Sequence, residues 1–250
     1  MCLLLLALNS VPGRPWLLLG NRDEFHARAT APAAEWADHP GVFGGRDLVA
    51  GGSWLAVHRN GRFAAVTNVR SGKRLPAPRS RGDLVGAYVA GTAPPVEYAT
   101  AVAARREEYG PFNLVVGDAS AAWFVSSIDG RPRALARGVH AFSNGSLDDE
   151  WPKMRRLRHG LETMQQSGKW EDAAFLDLLA DTAQPSDADL PDTGVGLALE
   201  RVLAPIFIRG REYGTRASTL AYRRDDGRLF LHERRFRPDS VPDGESTIEL

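Results

Sequence analysis

The chain has 250 residues, of which 43% are hydrophobic and 25% charged, and its 31 basic residues balance its 31 acidic ones. This is the profile of a soluble globular protein, and a net charge of zero gives no electrostatic argument for a nucleic-acid partner. The one cysteine excludes an intramolecular disulfide and is typical of a reducing, cytoplasmic compartment.

The first apolar run, Leu3–Leu8, has the features of neither a leader peptide nor a membrane span. It lacks a basic segment before it and is shorter than the apolar core of a signal peptide. No segment of the chain reaches the roughly 20 apolar residues that a transmembrane helix needs. Without internal repeats or a long Gly/Ser linker, we expect a single domain over residues 1–250.

Two strands open the chain, Leu3–Leu8 and Trp16–Leu19, on either side of a Pro12-Gly13 turn. Both are continuous apolar runs, which are typical of strands buried on both faces at the centre of a layered fold. With Pro12 and Gly13 as the central turn residues, the register places Cys2 opposite Asp23 and Leu3 opposite Arg22. Pro-Gly is not a preferred two-residue hairpin loop, so a slip of one residue or more stays open.

The rest of the chain alternates groups of strands with blocks of helices. We predict an irregular stretch over residues 26–41 and a loosely attached tail after Pro238. The predicted strands cover residues 51–57, 62–68, 112–118, 121–127, 134–136, 138–143, 214–222 and 228–235, and the predicted helices residues 80–90, 96–109, 148–166 and 170–181. This order indicates an α+β fold with stacked sheets and helices outside them.

The position of the cysteine, directly after Met1, indicates its chemistry. A lone cysteine is usually a small buried apolar residue. Methionine aminopeptidase, however, removes an initiator methionine that precedes a small residue, which would leave Cys2 with both a thiol and a free α-amine. That amine has a reference pKa near 8 and can act as the base for the thiol on the same residue.

An acyl-transfer site also needs donors for the developing oxyanion. Asn68 and Asn144 each close an apolar strand, where an amide can point into a cleft; alternatively each only begins a turn or caps a helix. Arg22 and Asp23 could form a buried pair that orients the Cys2 amine, or a solvated pair at a strand end.

Other kinds of site are not supported by the sequence. A second cysteine and a His-x-x-x-His pair are both missing, so we expect no dedicated transition-metal site. Asp187 and Asp189 lack the glycine and glutamate of a calcium loop. The glycines of residues 41–52 match neither a Walker A nor a dinucleotide spacing.

Several motifs together resemble the NRDE family, which includes the transport-and-Golgi-organisation-2 proteins. They are Met1-Cys2, residues 21–25 (Asn-Arg-Asp-Glu-Phe), residues 51–55 (Gly-Gly-Ser-Trp-Leu), Thr67-Asn68, residues 112–114 (Phe-Asn-Leu), Ser143-Asn144, residues 151–153 (Trp-Pro-Lys) and residues 213–216 (Tyr-Gly-Thr-Arg). The resemblance implies the N-terminal nucleophile hydrolase superfamily, with a four-layer αββα sandwich of two stacked antiparallel sheets. It also implies similarity to conjugated bile acid hydrolases and penicillin V acylases.

By this resemblance the expected activity is hydrolysis of a non-peptide amide bond in a small acyl-amide, without a cofactor. Cys2 is then the nucleophile, Arg22 and Asp23 flank it, and Asn68 and Asn144 belong to the oxyanion-hole region. The hydrolases space their arginine and aspartate apart, whereas here the two are adjacent. The candidates for substrate binding are Asn21, Glu24, Trp54 and Arg216.

The resemblance also implies a reading of another class, in which the same cleft binds haem or an acyl-CoA or lipid cargo without turnover. Thiolate and imidazole are both axial ligands of haem, so Cys2 and His26 are the candidates for contact with iron. The chain has no Cys-Pro or Cys-x-x-Cys-His haem motif. A third alternative is a hydrolase fold used as an interaction scaffold.

Overall fold

The structure, a computed structural model, describes residues 2–70 and 77–250. Five α-helices and thirteen strands lie within these residues. In chain order they are β1 Cys2–Val11, β2 Arg14–Phe25, β3 Thr30–Trp36, β4 His39–Asp47, β5 Leu55–His58, β6 Phe63–Asn68, α1 Arg81–Val89, α2 Pro95–Ala104, β7 Phe112–Gly117, β8 Ala122–Ser126, β9 Arg133–Ala134, β10 Gly138–Phe142, α3 Pro152–Ser167, α4 Asp172–Leu178, α5 Leu197–Leu203, β11 Tyr213–Arg223, β12 Leu229–Phe236 and β13 Pro242–Glu249.

The described strands form two antiparallel sheets. One has the order β10-β1-β2-β11-β12-β13 and the other runs from β3 to β9 in chain order. Alternate residues of β1 and β2, such as Leu4 and Leu18, pack between the sheets against Phe63 and Phe124. The residues between them, such as Leu5, pack against the outer helices α3 and α4, while α1 and α2 cover the far side of the second sheet. The four-layer αββα sandwich is therefore confirmed.

Burial of the opening hairpin on both faces is also confirmed, since Leu3, Leu4, Leu5 and Leu6 are fully buried. Its predicted register, however, is wrong by one residue. Val11 pairs with Arg14 as expected, but a bulge between Leu8 and Val11 shifts the pairing, so that Cys2 lies opposite Arg22 and Leu3 opposite Asn21. Asn9 takes the left-handed conformation at the bulge, with φ 48°. The bulge adds the twist that a Pro-Gly turn does not supply.

Three other predicted elements differ from the structure. Residues 26–41 are not irregular: strand β3 and the start of β4 form an edge hairpin there. The tail pairs with β12 as strand β13. The helix predicted from Asp148 begins at Pro152 instead, because Asp148 has φ 58° and the residue before a proline is held extended.

None of the helices in the described ranges combines the length and the apolar character needed to cross a membrane.

Candidate functional site

Cys2 is the first residue of β1, which lies between β2 and the strand β10 in its sheet. Its side chain is 7% exposed and belongs to the apolar cluster between the sheets. The Ser143 hydroxyl, just after β10, donates to the Cys2 carbonyl oxygen over 2.9 Å. Burial raises the pKa of the Cys2 thiol, and the nearby Arg22 acts in the opposite direction. The bond from Ser143 therefore holds Cys2 in place through its main-chain carbonyl.

Arg22 lies directly across the ladder from Cys2 and so projects from the same face of the sheet. Its Nη2 lies 3.4 Å from Asp47 Oδ2 and 4.0 Å from Glu24 Oε2. Arg28 Nε approaches the same Asp47 oxygen to 2.6 Å. Successive strand residues point to opposite faces, so Arg22 turns toward Asp47 rather than toward its neighbour Asp23. Arg22 and Asp23, although adjacent in the sequence, thus project from opposite faces of the sheet.

Asp23 is buried on the side of the sheet that faces the helices. Its Oδ1 accepts a 2.7 Å hydrogen bond from the Thr215 hydroxyl, which in turn accepts from the Ile208 amide over 2.9 Å. Burial raises the pKa of the Asp23 carboxyl, and the positive charge of Lys153 opposes this rise. A bulge in β11 between Thr215 and Ala217 aims the Thr215 hydroxyl at this carboxylate.

Asn68 and Asn144, the two residues predicted for the oxyanion-hole region, meet at the same end of the sandwich as Cys2. Asn144 is fully buried and donates through Nδ2 to the Asn68 carbonyl oxygen over 2.9 Å. Its Oδ1 lies 3.1 Å from the Ser143 hydroxyl, the same group that holds the Cys2 carbonyl. A primary amide carries two donors. Within the described residues the second Nδ2 hydrogen of Asn144 has no hydrogen-bond acceptor.

The segment that carries Asn144 is held by the second sheet. Thr67 donates through its hydroxyl to the Ser143 carbonyl, and Asn113 donates to the Gly145 carbonyl over 2.7 Å. The Arg70 amide donates to the Asn144 carbonyl over 2.7 Å. These bonds connect the two sheets at the site and fix the position of the Asn144 amide.

A buried group of charges behind Asp23 is the part of the site that the sequence did not predict. Arg70 and Glu200 form an ion pair whose side chains are 4% and 3% exposed. Lys153, in the first turn of α3, is buried next to them and donates to the Leu203 carbonyl over 3.2 Å. The sequence feature that could have indicated this group is the position of Lys153 directly after Trp151-Pro152, in a chain with only three lysines.

The other predicted ligand-binding residues lie around the site with different surroundings. Both amide hydrogens of Asn21 go to the Leu179 and Ile206 carbonyls, each over 2.8 Å, so this side chain is committed to the fold. Glu24 accepts from the Phe25 amide at the mouth of the site. The ring of Trp54 covers Gly20, where a Cβ would lie 3.0 Å from it.

Arg216 lies in the β11 bulge and binds residues 25–30, the segment that follows the Asn-Arg-Asp-Glu sequence of residues 21–24. Its Nη1 donates to the carbonyls of Phe25, His26 and Arg28 over 3.1, 3.2 and 2.9 Å. Its Nη2 donates to the Thr30 hydroxyl over 3.2 Å. Arg216 thus shapes the rim of the site through the backbone.

The described residues include histidine, cysteine, aspartate and glutamate, the side chains that most often ligate metal ions. They contain no group of three or more histidine, cysteine, aspartate or glutamate side chains placed to hold a metal ion. The His26 imidazole packs against Gly214, where a Cβ would lie 3.3 Å from Nε2, and its Nδ1 is buried.

Comparison with known proteins agrees with this architecture. A family model described as Transport and Golgi organisation 2 matches residues 1–238. The Transport and Golgi organization protein 2 homolog of Bos taurus is 29% identical over 238 residues, covering 87% of this chain and 85% of the relative.

Two solved structures share the fold at low sequence identity. The mutant C2A conjugated bile acid hydrolase from Clostridium perfringens has a TM-score of 0.55 at 10% identity, covering 100% of this chain and 92% of that one. The Caenorhabditis elegans N-acylethanolamine-hydrolyzing acid amidase ortholog has a TM-score of 0.51 at 11% identity, covering 88% and 92%.

Proposed function

The chain belongs to the Transport and Golgi organisation 2 family, and on that premise we propose that it is a cysteine N-terminal-nucleophile hydrolase. Its proposed substrate is a small acyl-amide, cleaved at a non-peptide C–N bond. Two structural neighbours, a conjugated bile acid hydrolase and an N-acylethanolamine-hydrolyzing amidase, have names of this chemical class. The fold alone does not determine activity, so the proposal depends on the site.

The observation that supports it most is the arrangement of groups around Cys2. In the antiparallel ladder the chain before Cys2 runs toward Asp23, because Cys2 lies opposite Arg22. The main-chain nitrogen of Cys2 therefore lies on the Asp23 side, and its thiol on the Arg22 side. Removal of Met1, which lies outside the described residues, would make that nitrogen an α-amine beside a buried carboxylate.

The acylation step follows from these positions. The neutral α-amine accepts the thiol proton, and Sγ forms a bond to the carbonyl carbon of the amide. The carbonyl oxygen becomes an oxyanion, which the second Nδ2 hydrogen of Asn144 stabilises. The α-ammonium then returns its proton to the substrate nitrogen, the C–N bond breaks, and the amine leaves. Cys2 is left as a thioester.

Hydrolysis of the thioester uses the same groups in reverse. The α-amine takes a proton from a water molecule as the water oxygen bonds to the acyl carbon, and Asn144 again stabilises the oxyanion. The carbon–sulfur bond breaks, the carboxylic acid leaves, and the α-ammonium returns a proton to the thiolate. Arg22, on the thiol side of the ladder, stabilises the thiolate between these steps.

The first prediction is covalent labelling of Cys2 by an acyl donor. Purified protein treated with coumarin amides of acyl chains from two to sixteen carbons should release coumarin in a burst of one equivalent. Intact mass should then give a chain that begins at Cys2 and carries the acyl group. Cys2→Ala should remove both burst and adduct, since no other thiol is present.

Two outcomes would contradict this proposal. One is a mature protein that still carries Met1, because the base would then be an amide nitrogen. The other is a chain that begins at Cys2 and is acylated no faster than free cysteine.

Apolar side chains at the rim of the site favour a second candidate, a binding protein for an acyl or other apolar cargo. Phe25, Leu48 and Val49 are 56%, 61% and 64% exposed. They lie together, because the Leu48 amide bonds the Ala29 carbonyl over 3.0 Å and Asp47 pairs with Arg28. A group of exposed apolar side chains is typical of a surface that contacts apolar ligands.

For this candidate we expect saturable quenching of tryptophan fluorescence by a sixteen-carbon acyl-CoA, without product. The double change Leu48→Ser and Val49→Ser should weaken binding about tenfold, given the apolar area lost. Ile128→Ser, an equally exposed apolar side chain in the β8–β9 turn, is the matched control and should leave it unchanged. A parallel haem titration should give a Soret shift that Cys2→Ala removes if iron is bound. Quenching that is the same in both serine variants would refute the rim as the binding surface.

A further inference from the structure

Ser143 is a fully buried serine whose hydroxyl lies between the two residues on which the proposed acylation depends. Its Oγ lies 2.9 Å from the Cys2 carbonyl oxygen and 3.1 Å from Asn144 Oδ1. Both atoms are acceptors, because the bond to the Asn68 carbonyl oxygen requires the other end of the Asn144 amide to be the donor nitrogen. The Ser143 hydroxyl is therefore a donor shared by the nucleophilic residue and the oxyanion donor.

The pairing of β1 with β10 ends before it reaches Cys2. The last pair of this ladder joins Leu4 to Phe142. Cys2 lies two residues beyond that pair, so strand pairing within the described residues does not set its distance from the segment that follows β10. The Ser143 hydroxyl makes the connection at the place where the ladder has ended.

The main chain of Ser143 is held by the second sheet. Its carbonyl oxygen accepts from the Thr67 hydroxyl on β6 and from Asn113 Nδ2 on β7, the latter over 3.3 Å. Ser143 is thus bonded to the second sheet through its main chain and to β1, in the first sheet, through its side chain. Removal of the hydroxyl breaks the bond to β1 and leaves the bonds to the second sheet in place.

We propose that Ser143 is a positioning residue, whose hydroxyl sets the place of the Asn144 amide relative to the Cys2 nucleophile. The inference rests on the proposed hydrolase function, because the two residues that it positions are those assigned to acylation. Ser143 acts through the Cys2 main-chain carbonyl and the Asn144 amide oxygen, and it transfers no proton to the substrate.

Both contacts of the hydroxyl act on the acylation rate in the same direction. A hydrogen bond to Asn144 Oδ1 polarises the amide and makes its Nδ2 hydrogens stronger donors to an oxyanion. The bond to the Cys2 carbonyl keeps the nucleophile in line with that donor, and small displacements of reacting groups lower the rate. Loss of the hydroxyl should therefore slow acylation through both contacts.

The test is a double-mutant cycle on the coumarin burst, in chains verified to begin at Cys2 and normalised to the folded fraction. Ser143→Ala should lower the maximal burst rate about tenfold, as expected for one hydrogen bond lost from the site. The amide concentration that gives the half-maximal rate should change less than about twofold, because the hydroxyl does not contact the substrate. In an Asn144→Ala background the same change should lower the rate less than about twofold, because a position relative to the amide matters only while the amide is present.

Ser218→Ala is the matched control. Ser218 is 2% exposed, and its hydroxyl donates to Asn21 Oδ1 over 2.7 Å in the same sheet as Cys2. This change also removes a buried hydrogen bond from a serine to an asparagine side chain and should lower stability. Its normalised burst rate should equal that of the wild type. Equal rate losses in Ser218→Ala and Ser143→Ala would indicate a general effect of buried hydroxyls and would overturn the inference.

The possible results separate this inference from the proposed function. If wild-type Cys2 is acylated but Ser143→Ala keeps the wild-type rate, the role of Ser143 is refuted and the hydrolase proposal stands. The same conclusion follows if Ser143→Ala loses the same factor with and without the Asn144 amide. If the mature chain retains Met1, or Cys2 is acylated no faster than free cysteine, both proposals fail.

A measurement on wild-type protein covers the case in which Ser143→Ala does not fold. A buried hydroxyl hydrogen held between two carbonyl oxygens should exchange slowly with water and give its own resonance in proton NMR. The inference predicts this resonance for Ser143, with nuclear Overhauser effects to both Cys2 and Asn144. A Ser143 hydroxyl that exchanges too fast to be detected would overturn it.

Discussion

Replacement of Glu200 by alanine is expected to cost about 3–5 kcal/mol of unfolding free energy, the usual consequence of leaving a buried charge without its partner. The Arg70–Glu200 pair is almost completely buried, and Glu200 Oε1 also accepts from the Thr193 amide over 3.0 Å. Urea unfolding followed by tryptophan fluorescence measures the change. For a chain of this size the melting temperature should fall by about 10 °C.

The matched control for this prediction is the exposed pair Arg201–Asp187, whose side chains are 54% and 52% exposed. Asp187→Ala should leave the unfolding midpoint unchanged, because solvent screens an exposed ion pair. Equal losses in the two variants would mean that burial of the Arg70–Glu200 pair contributes nothing to stability.

Replacement of Asn144 by alanine is expected to slow acylation of Cys2 about 10²–10³-fold, the usual effect of losing one oxyanion donor. The reason is the number of donors on the amide: the Asn68 carbonyl holds one Nδ2 hydrogen, and the proposed function assigns the other to the oxyanion. The measurement is the burst rate with a coumarin amide, normalised to the folded fraction. The amide concentration that gives the half-maximal burst rate should change much less than the maximal burst rate.

Asn113→Ala is the control that separates the donor from the loop that holds it. Asn113 bonds the Gly145 carbonyl over 2.7 Å and so tethers the same segment without offering a group to the oxyanion. We expect less than a tenfold loss in this variant. If the two alanine variants lose the same rate, then Asn144 acts through loop position, and the oxyanion assignment is wrong.

The sequence predicted those parts of the fold that depend on local pattern. Continuous apolar runs predicted the buried hairpin, and the strands predicted at residues 51–57 and 62–68 pair as the β5–β6 hairpin, because both signals act within a few residues. Strand β13 was missed, because its side chains are mostly exposed and only pairing with β12 orders it. The β3–β4 hairpin was missed because its Ala- and Pro-rich sequence has no strand alternation.

The same division holds for the candidate site. Cys2 begins β1, Asn68 ends β6 and Asn144 follows the end of β10 by two residues, so each of the three lies at or near a strand end, as the motifs predict. Partners from distant parts of the chain were not predictable. Asp47 as the partner of Arg22, and Thr215 and Lys153 as the groups around Asp23, depend on strand order and helix packing. No local pattern encodes them.

The bulge at Asn9 determines which residues of β1, the even-numbered or the odd-numbered ones, face the other sheet. Leu3–Leu8 is apolar on both faces, so burial alone would accept either of two arrangements that differ by one residue. With the bulge, the even-numbered residues of β1 face the other sheet, and Cys2 is among them. A strand of this length spans roughly 30 Å, so the face from which Cys2 projects is decided at the opposite end of β1. Insertions and deletions of one residue at this turn would exchange Cys2 with Leu3, whereas changes of two residues would preserve the site.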